Sequence, residues 1–72
     1  MTDVRAEITA NVWQVRAEVG QQVSVGDELV ILDSMEMEIP VESPVAGTLT
    51  EIRVKAEDQV HEGDVVAVID EG

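Results

Sequence analysis

A shift of 37 positions lays Val12 to Asp33 of this chain over Leu49 to Asp70, and the agreement extends to polar and apolar positions alike. Arg16 meets Arg53, Gln22 meets Gln59, Val23 meets Val60, Gly26 meets Gly63, Asp27 meets Asp64 and Asp33 meets Asp70. Val12 falls on Leu49, Val15 on Ile52, Val19 on Ala56, and the run Leu29 to Leu32 on Val66 to Ile69. Composition alone does not order residues in this way. Two similar halves imply a pseudo-twofold domain, so an element assigned to one half must also serve in the other.

Within each half the pattern is that of strands. Val15, Ala17 and Val19 alternate with Gln14, Arg16 and Glu18, as Ile52, Val54 and Ala56 do with Glu51, Arg53 and Lys55, which puts one face in a core and one in water. Gly26-Asp27 and Gly63-Asp64 each precede a short continuous apolar run, the pattern of a turn leading into a strand buried on both faces. Gly20 aligns with Glu57, which predicts a turn there that does not strictly need φ > 0. Pro40 and Pro44 stand between the halves, where proline can neither donate to a sheet ladder nor continue a helix. No segment reads as a helix of ordinary length. Short strands with regularly spaced turns predict an all-β fold, a pseudo-twofold flattened antiparallel barrel or sandwich.

The 72 residues allow one small domain, taken as 1–72 with repeats at about 12–33 and 49–70. A domain of this size buries only about 60% of the surface its unfolded chain exposes, which leaves no room for a deep catalytic cleft. The absence of cysteine excludes disulfides, thiolate nucleophiles and zinc-thiolate sites, and makes the cytoplasm the default compartment. No apolar run reaches the roughly 18 residues that span a bilayer, and the N-terminus lacks the basic-then-apolar order of a signal peptide. Met1 and the completed second repeat favour a stand-alone unit over a fragment of a longer enzyme.

Sixteen acidic residues against four basic ones give a formal charge of −12, which repels nucleic acid and anionic lipid surfaces. With Phe and Tyr absent and Trp13 the sole aromatic residue, there is no platform on which bases could stack. The charge reads first as a solvated surface. It also fits a domain kept from self-association and steered toward basic faces on its partners.

Just past the first repeat lies Asp33-Ser34-Met35-Glu36-Met37-Glu38-Ile39-Pro40, where Asp33 and Ser34 leave one strand and Glu38 to Val41 begin the next. The stretch therefore belongs at the exposed end of a strand pair, as a hairpin turn at one end of the domain. With Val30-Ile31-Leu32 before it, and with Ser43-Pro44-Val45-Ala46-Gly47-Thr48, Gly26-Asp27 and Gly63-Asp64, it resembles the biotinyl/lipoyl attachment domain family. The resemblance runs from Val4 to Asp70 and is nearest to stand-alone biotin carboxyl carrier proteins of acyl-CoA carboxylases. It implies the hammerhead-type fold of that family. No insertion of the kind that forms a protruding thumb in some carriers stands between Trp13 and Gly26.

The resemblance implies a swinging-arm carrier rather than an enzyme, one that would shuttle carboxybiotin between active sites. Its implied partners are biotin protein ligase, biotin carboxylase and carboxyltransferase, and its implied cofactor is covalent biotin. Met35 and Met37 would form an adaptable apolar collar around the attachment position; read on periodicity alone, they are ordinary strand residues. In the family the residue between the methionines is the lysine that receives biotin, and here it is Glu36. A carboxylate has no amine to form a stable amide, so the chain as written carries no cofactor. Lys55, the single lysine, aligns with Glu18 in the other repeat and does not replace it. Two origins account for Glu36: an introduced lysine-to-glutamate change, or a natural carrier-like protein that lost attachment and serves binding or assembly without a cofactor.

Other sites are weaker. Asp33, Glu36 and Glu38 gather carboxylates that could hold a hard cation, but strand alternation sends neighbours to opposite faces, and a solvated acidic tip is the simpler reading. His61 beside Glu62 lacks the partner that general-base chemistry needs and reads as a surface residue. Trp13 aligns with Thr50, so the repeat gives it no core role; it reads as packing at the sandwich edge or as a partner contact. No nucleophile, base and oxyanion donor can be assembled into a catalytic set.

Overall fold

The computed structural model describes residues 1–35 and 37–72 and contains, among them, eight strands and no helix. They are β1 (Thr2–Arg5), β2 (Ala10–Val15), β3 (Gln22–Val23), β4 (Glu28–Asp33), β5 (Glu38–Glu42), β6 (Gly47–Ile52), β7 (Gln59–Val60) and β8 (Val65–Asp70). Two four-stranded antiparallel sheets face each other, in the orders β1-β8-β6-β3 and β5-β4-β2-β7. The 37-residue shift turns the first order into the second, strand for strand. The repeat thus extends beyond its matching sequence, since β1 and β5 are equivalents although Val4 and Val41 are the one identity between them.

The symmetry reaches the irregular parts. The β2–β4 pairing slips between Val12 and Gln14, and the β6–β8 pairing slips between Leu49 and Glu51, so Trp13 and Thr50 occupy equivalent bulges. Leu49 donates its N–H to Gln21 O at 2.9 Å, and Val12 donates to Asp58 O at 2.7 Å. Each of these bonds joins one half to the other, so neither half completes its backbone pairing alone.

The core follows from the two continuous apolar runs. Leu29 to Leu32 in β4 and Val66 to Ile69 in β8 are all buried, and Leu29, Leu49, Val66 and Ile69 have no exposed surface. Ser43, the one buried polar residue among those described, donates Oγ–H to Val45 O at 2.5 Å and N–H to Asp27 O at 2.8 Å. Its equivalent, Ala6, makes the matching backbone bond to Asp64 O at 2.9 Å without a hydroxyl. Pro40 lies within β5, on the sheet edge where a missing N–H leaves no gap in the ladder.

Two expectations are corrected. The alternation beginning at Val15 and Ile52 does not continue as strand: β2 ends at Val15 and β6 at Ile52, Val19 is 62% exposed, and Ala56 is exposed too. The reason is the turn that follows, where Gly20 has φ 94° and redirects the chain. Glu57, at the equivalent position, has φ 79°. That turn needs a left-handed residue in both halves, and the second half meets the need with a side chain that disfavours it.

Candidate functional site at the β4–β5 hairpin

The register of β4 on β5 sets the turn. Leu32 pairs with Ile39 and Asp33 with Glu38, after which Ser34 donates its N–H to Met37 O at 3.1 Å. Met35 takes φ 66°, and its N–H is held by Asp33 Oδ1 at 3.2 Å. This carboxylate bond fixes the entry into the turn, which matters because a left-handed methionine is disfavoured without such support. Met35 is 98% exposed and Met37 61% exposed, so neither is the strand-packing residue that periodicity alone allows. Glu36, the remaining site residue named from the sequence, lies outside the described residues.

The scaffold explains the geometry but not the methionines. At the equivalent place in the second half, Gly72 has φ 116° and donates its N–H to Asp70 Oδ1 at 3.0 Å, as Met35 does to Asp33. The left-handed residue and its aspartate therefore belong to the fold. A long apolar side chain there belongs to the first half only.

Trp13 joins this site, which the sequence reading did not foresee. It shares a shallow surface hollow with Asp33, Met35, Met37 and Glu38, and it remains 46% exposed. The signal was present in the spacing: Val12 and Val15 are three apart, as are Leu49 and Ile52, and a step of three in a period-two pattern marks a bulge.

The other candidates fall elsewhere. Lys55 belongs to the turn before β7, where its N–H meets Asp58 Oδ2 at 3.0 Å, and not to the β4–β5 hairpin. The N–H of His61 donates to Asp64 Oδ2 at 2.8 Å, as that of Ser24 does to Asp27 Oδ2 at 2.8 Å. A serine fills the same place, so the imidazole is not needed for the turn. Asp33 and Glu38 pair across the hairpin, and among the described residues no three His, Cys, Asp or Glu side chains are grouped to hold a metal ion. A larger cleft opens between the edge strands β1 and β5, near the pseudo-axis, but its one hydroxyl, Ser43, is committed to Val45. The site can therefore offer an apolar contact through Trp13, Met35 and Met37. Its described residues do not assemble a catalytic set.

Comparison with known proteins bears on what such a turn presents. The Biotin_lipoyl family model, described as "Biotin-requiring enzyme", matches residues 1–69. A biotinylated protein TB7.3 homolog of Mycobacterium leprae (strain TN) is 49% identical over 67 residues, spanning 93% of this chain and 94% of that protein. The biotin/lipoyl attachment protein of Bacillus subtilis (strain 168) is 40% identical over 63 residues, spanning 88% of this chain and 86% of the relative. Among solved structures, Kluyveromyces lactis urea carboxylase superposes with a TM-score of 0.91 at 35% identity, covering 96% of this chain and 6% of the carboxylase chain.

Proposed function

Because this chain belongs to the Biotin_lipoyl family of attachment domains, we propose that it is a biotin carboxyl carrier-type module of a biotin-dependent acyl-CoA carboxylase, in a form that cannot be biotinylated. The observation that carries this reading is the β4–β5 hairpin, in which Met35 and Met37 stand exposed on either side of position 36 in sequence. A carrier needs a rigid scaffold, an exposed tight turn and an amine. The first two are present.

The third is not. Position 36 is glutamate, and the lone lysine, Lys55, lies in a different turn, so the residues at the hairpin do not fit a covalently held biotin. No cofactor step is assigned to this chain for that reason. Shuttling of a carboxyl group between a biotin carboxylase and a carboxyltransferase is the role of the lysine-containing form, with biotin protein ligase as the enzyme that charges it.

A second reading is favoured by Glu36 itself, together with the exposure of Trp13: a cofactor-free carrier-like module that binds or assembles with other proteins. The two separate on one experiment. The Glu36→Lys protein, incubated with biotin protein ligase, ATP and biotin, gains the mass of one biotin if the carrier reading holds; no gain leaves the assembly reading in its place.

A further inference from the structure

The pseudo-twofold axis supplies a control inside the molecule. β5 lies on β4 as β1 lies on β8, in the same register and with the same slip, so Glu42 across from Glu28 has as its twin Arg5 across from Val65. Arg5 donates from Nη1 to Gly63 O at 2.7 Å, which fastens the end of β1 to the turn before β8. An ionised Glu42 has no proton to give the twin carbonyl, that of Gly26, and it faces a second carboxylate instead. At the other end of the ladder Asp33 lies across from Glu38, whose twin, Met1, is no carboxylate.

Ser34 donates its N–H to Met37 O, so the adjoining Asp33–Glu38 pair is of the non-hydrogen-bonded kind, in which facing side chains approach most nearly. Like charges set directly across a sheet oppose the pairing. All four carboxylates are exposed, and among the described residues no ion pair reaches any of them, so water and dissolved salt are what moderate the repulsion. Between the two ends, Leu32 paired with Ile39 and Val30 paired with Val41 hold the strand. Leu32, Ile39 and Val41 also line the cleft between β1 and β5, so β5 forms one wall of it.

We propose that β5 is a releasable edge strand whose hold on β4 is set by dissolved cations. Apolar pairs close it at its centre, facing carboxylates push at both ends, and the degree of screening decides how often it opens. Opening frees the strand that follows the candidate site and uncovers Leu32 in the cleft. β1, fastened by Arg5, carries no such control. The device stands apart from the carrier reading, since it uses none of the attachment chemistry.

The test is native-state hydrogen exchange followed by NMR, read at the amides of Ile39 and Val41 in β5 and at Val4, the twin of Val41, in β1. Raising the salt concentration from about 0.01 M to about 1 M cuts the screening length from about 30 Å to about 3 Å, and slows exchange at Ile39 and Val41 by about threefold or more relative to Val4. Glu42→Arg, which installs the twin residue, and Glu38→Gln, which breaks the other facing pair, each slow the same two amides at low salt and flatten their response to salt. Glu51→Lys, in β6 on the other sheet, makes the same change in net charge as Glu42→Arg and leaves both amides as they were. A salt response equal in β5 and β1 overturns the assignment without any variant. Folded Glu42→Arg and Glu38→Gln proteins that exchange as the unaltered chain does, or an equal slowing by Glu51→Lys, overturn it as well.

Discussion

Gly20 and Glu57 hold equivalent turns with φ of 94° and 79°, and each sends its N–H into the opposite half, Gly20 to Leu49 O at 2.7 Å and Glu57 to Val12 O at 2.8 Å. The left-handed conformation costs an L-residue roughly 1–2 kcal/mol, part of which glycine returns as chain entropy in the unfolded state. Glu57→Gly is therefore expected to stabilise the protein by about 0.5–1 kcal/mol in urea unfolding. A loss of stability would show that the glutamate side chain contributes something the backbone geometry does not reveal.

Two aspartates close equivalent turns before β4 and β8. Asp27 Oδ2 receives the Ser24 N–H and Asp64 Oδ2 receives the His61 N–H, both at 2.8 Å. Asp27→Ala and Asp64→Ala are each expected to lower stability by about 1 kcal/mol. They share no partner, so the double variant is expected to lose about 2 kcal/mol, and a clear departure from additivity would mean that the turns are coupled through the interlocked sheets.

Gly47, at the start of β6, has no room for a side chain. A Cβ there would lie 2.3 Å from Asp70 O and 2.9 Å from Ile69 Cγ2. Backbone is the nearer obstacle, so the strands must move apart to admit alanine. Gly47→Ala is expected to cost about 1–3 kcal/mol and to lower Tm accordingly. A neutral substitution would contradict the close approach of β6 to β8.

These residues also mark how far the sequence could be read. The repeat located β2 with β6, β4 with β8, and the Gly26 and Gly63 turns, because side-chain identity there is dictated by burial or by positive φ. It did not reach β1 and β5, each of which buries a single residue, Val4 and Val41, and leaves the rest of its sequence little constrained. It overran at Val19 and Ala56, because periodicity does not register a left-handed residue and nothing about Glu57 announces one. At the candidate site, the position of the hairpin and the exposure of Met35 and Met37 follow from the motif and the repeat together. Trp13 was missed since a bulge decides where its side chain goes, and a strict two-residue period has no place for a bulge.

The central claim is that the β4–β5 hairpin is an attachment turn lacking only its amine. Its most direct test is the intact mass of the unaltered chain and of Glu36→Lys after incubation with biotin protein ligase, ATP and biotin. One added biotin on Glu36→Lys, mapped to position 36, and none on the unaltered chain is the expected result. Modification of the unaltered chain, or none of the Glu36→Lys protein while its fold is intact, would contradict it.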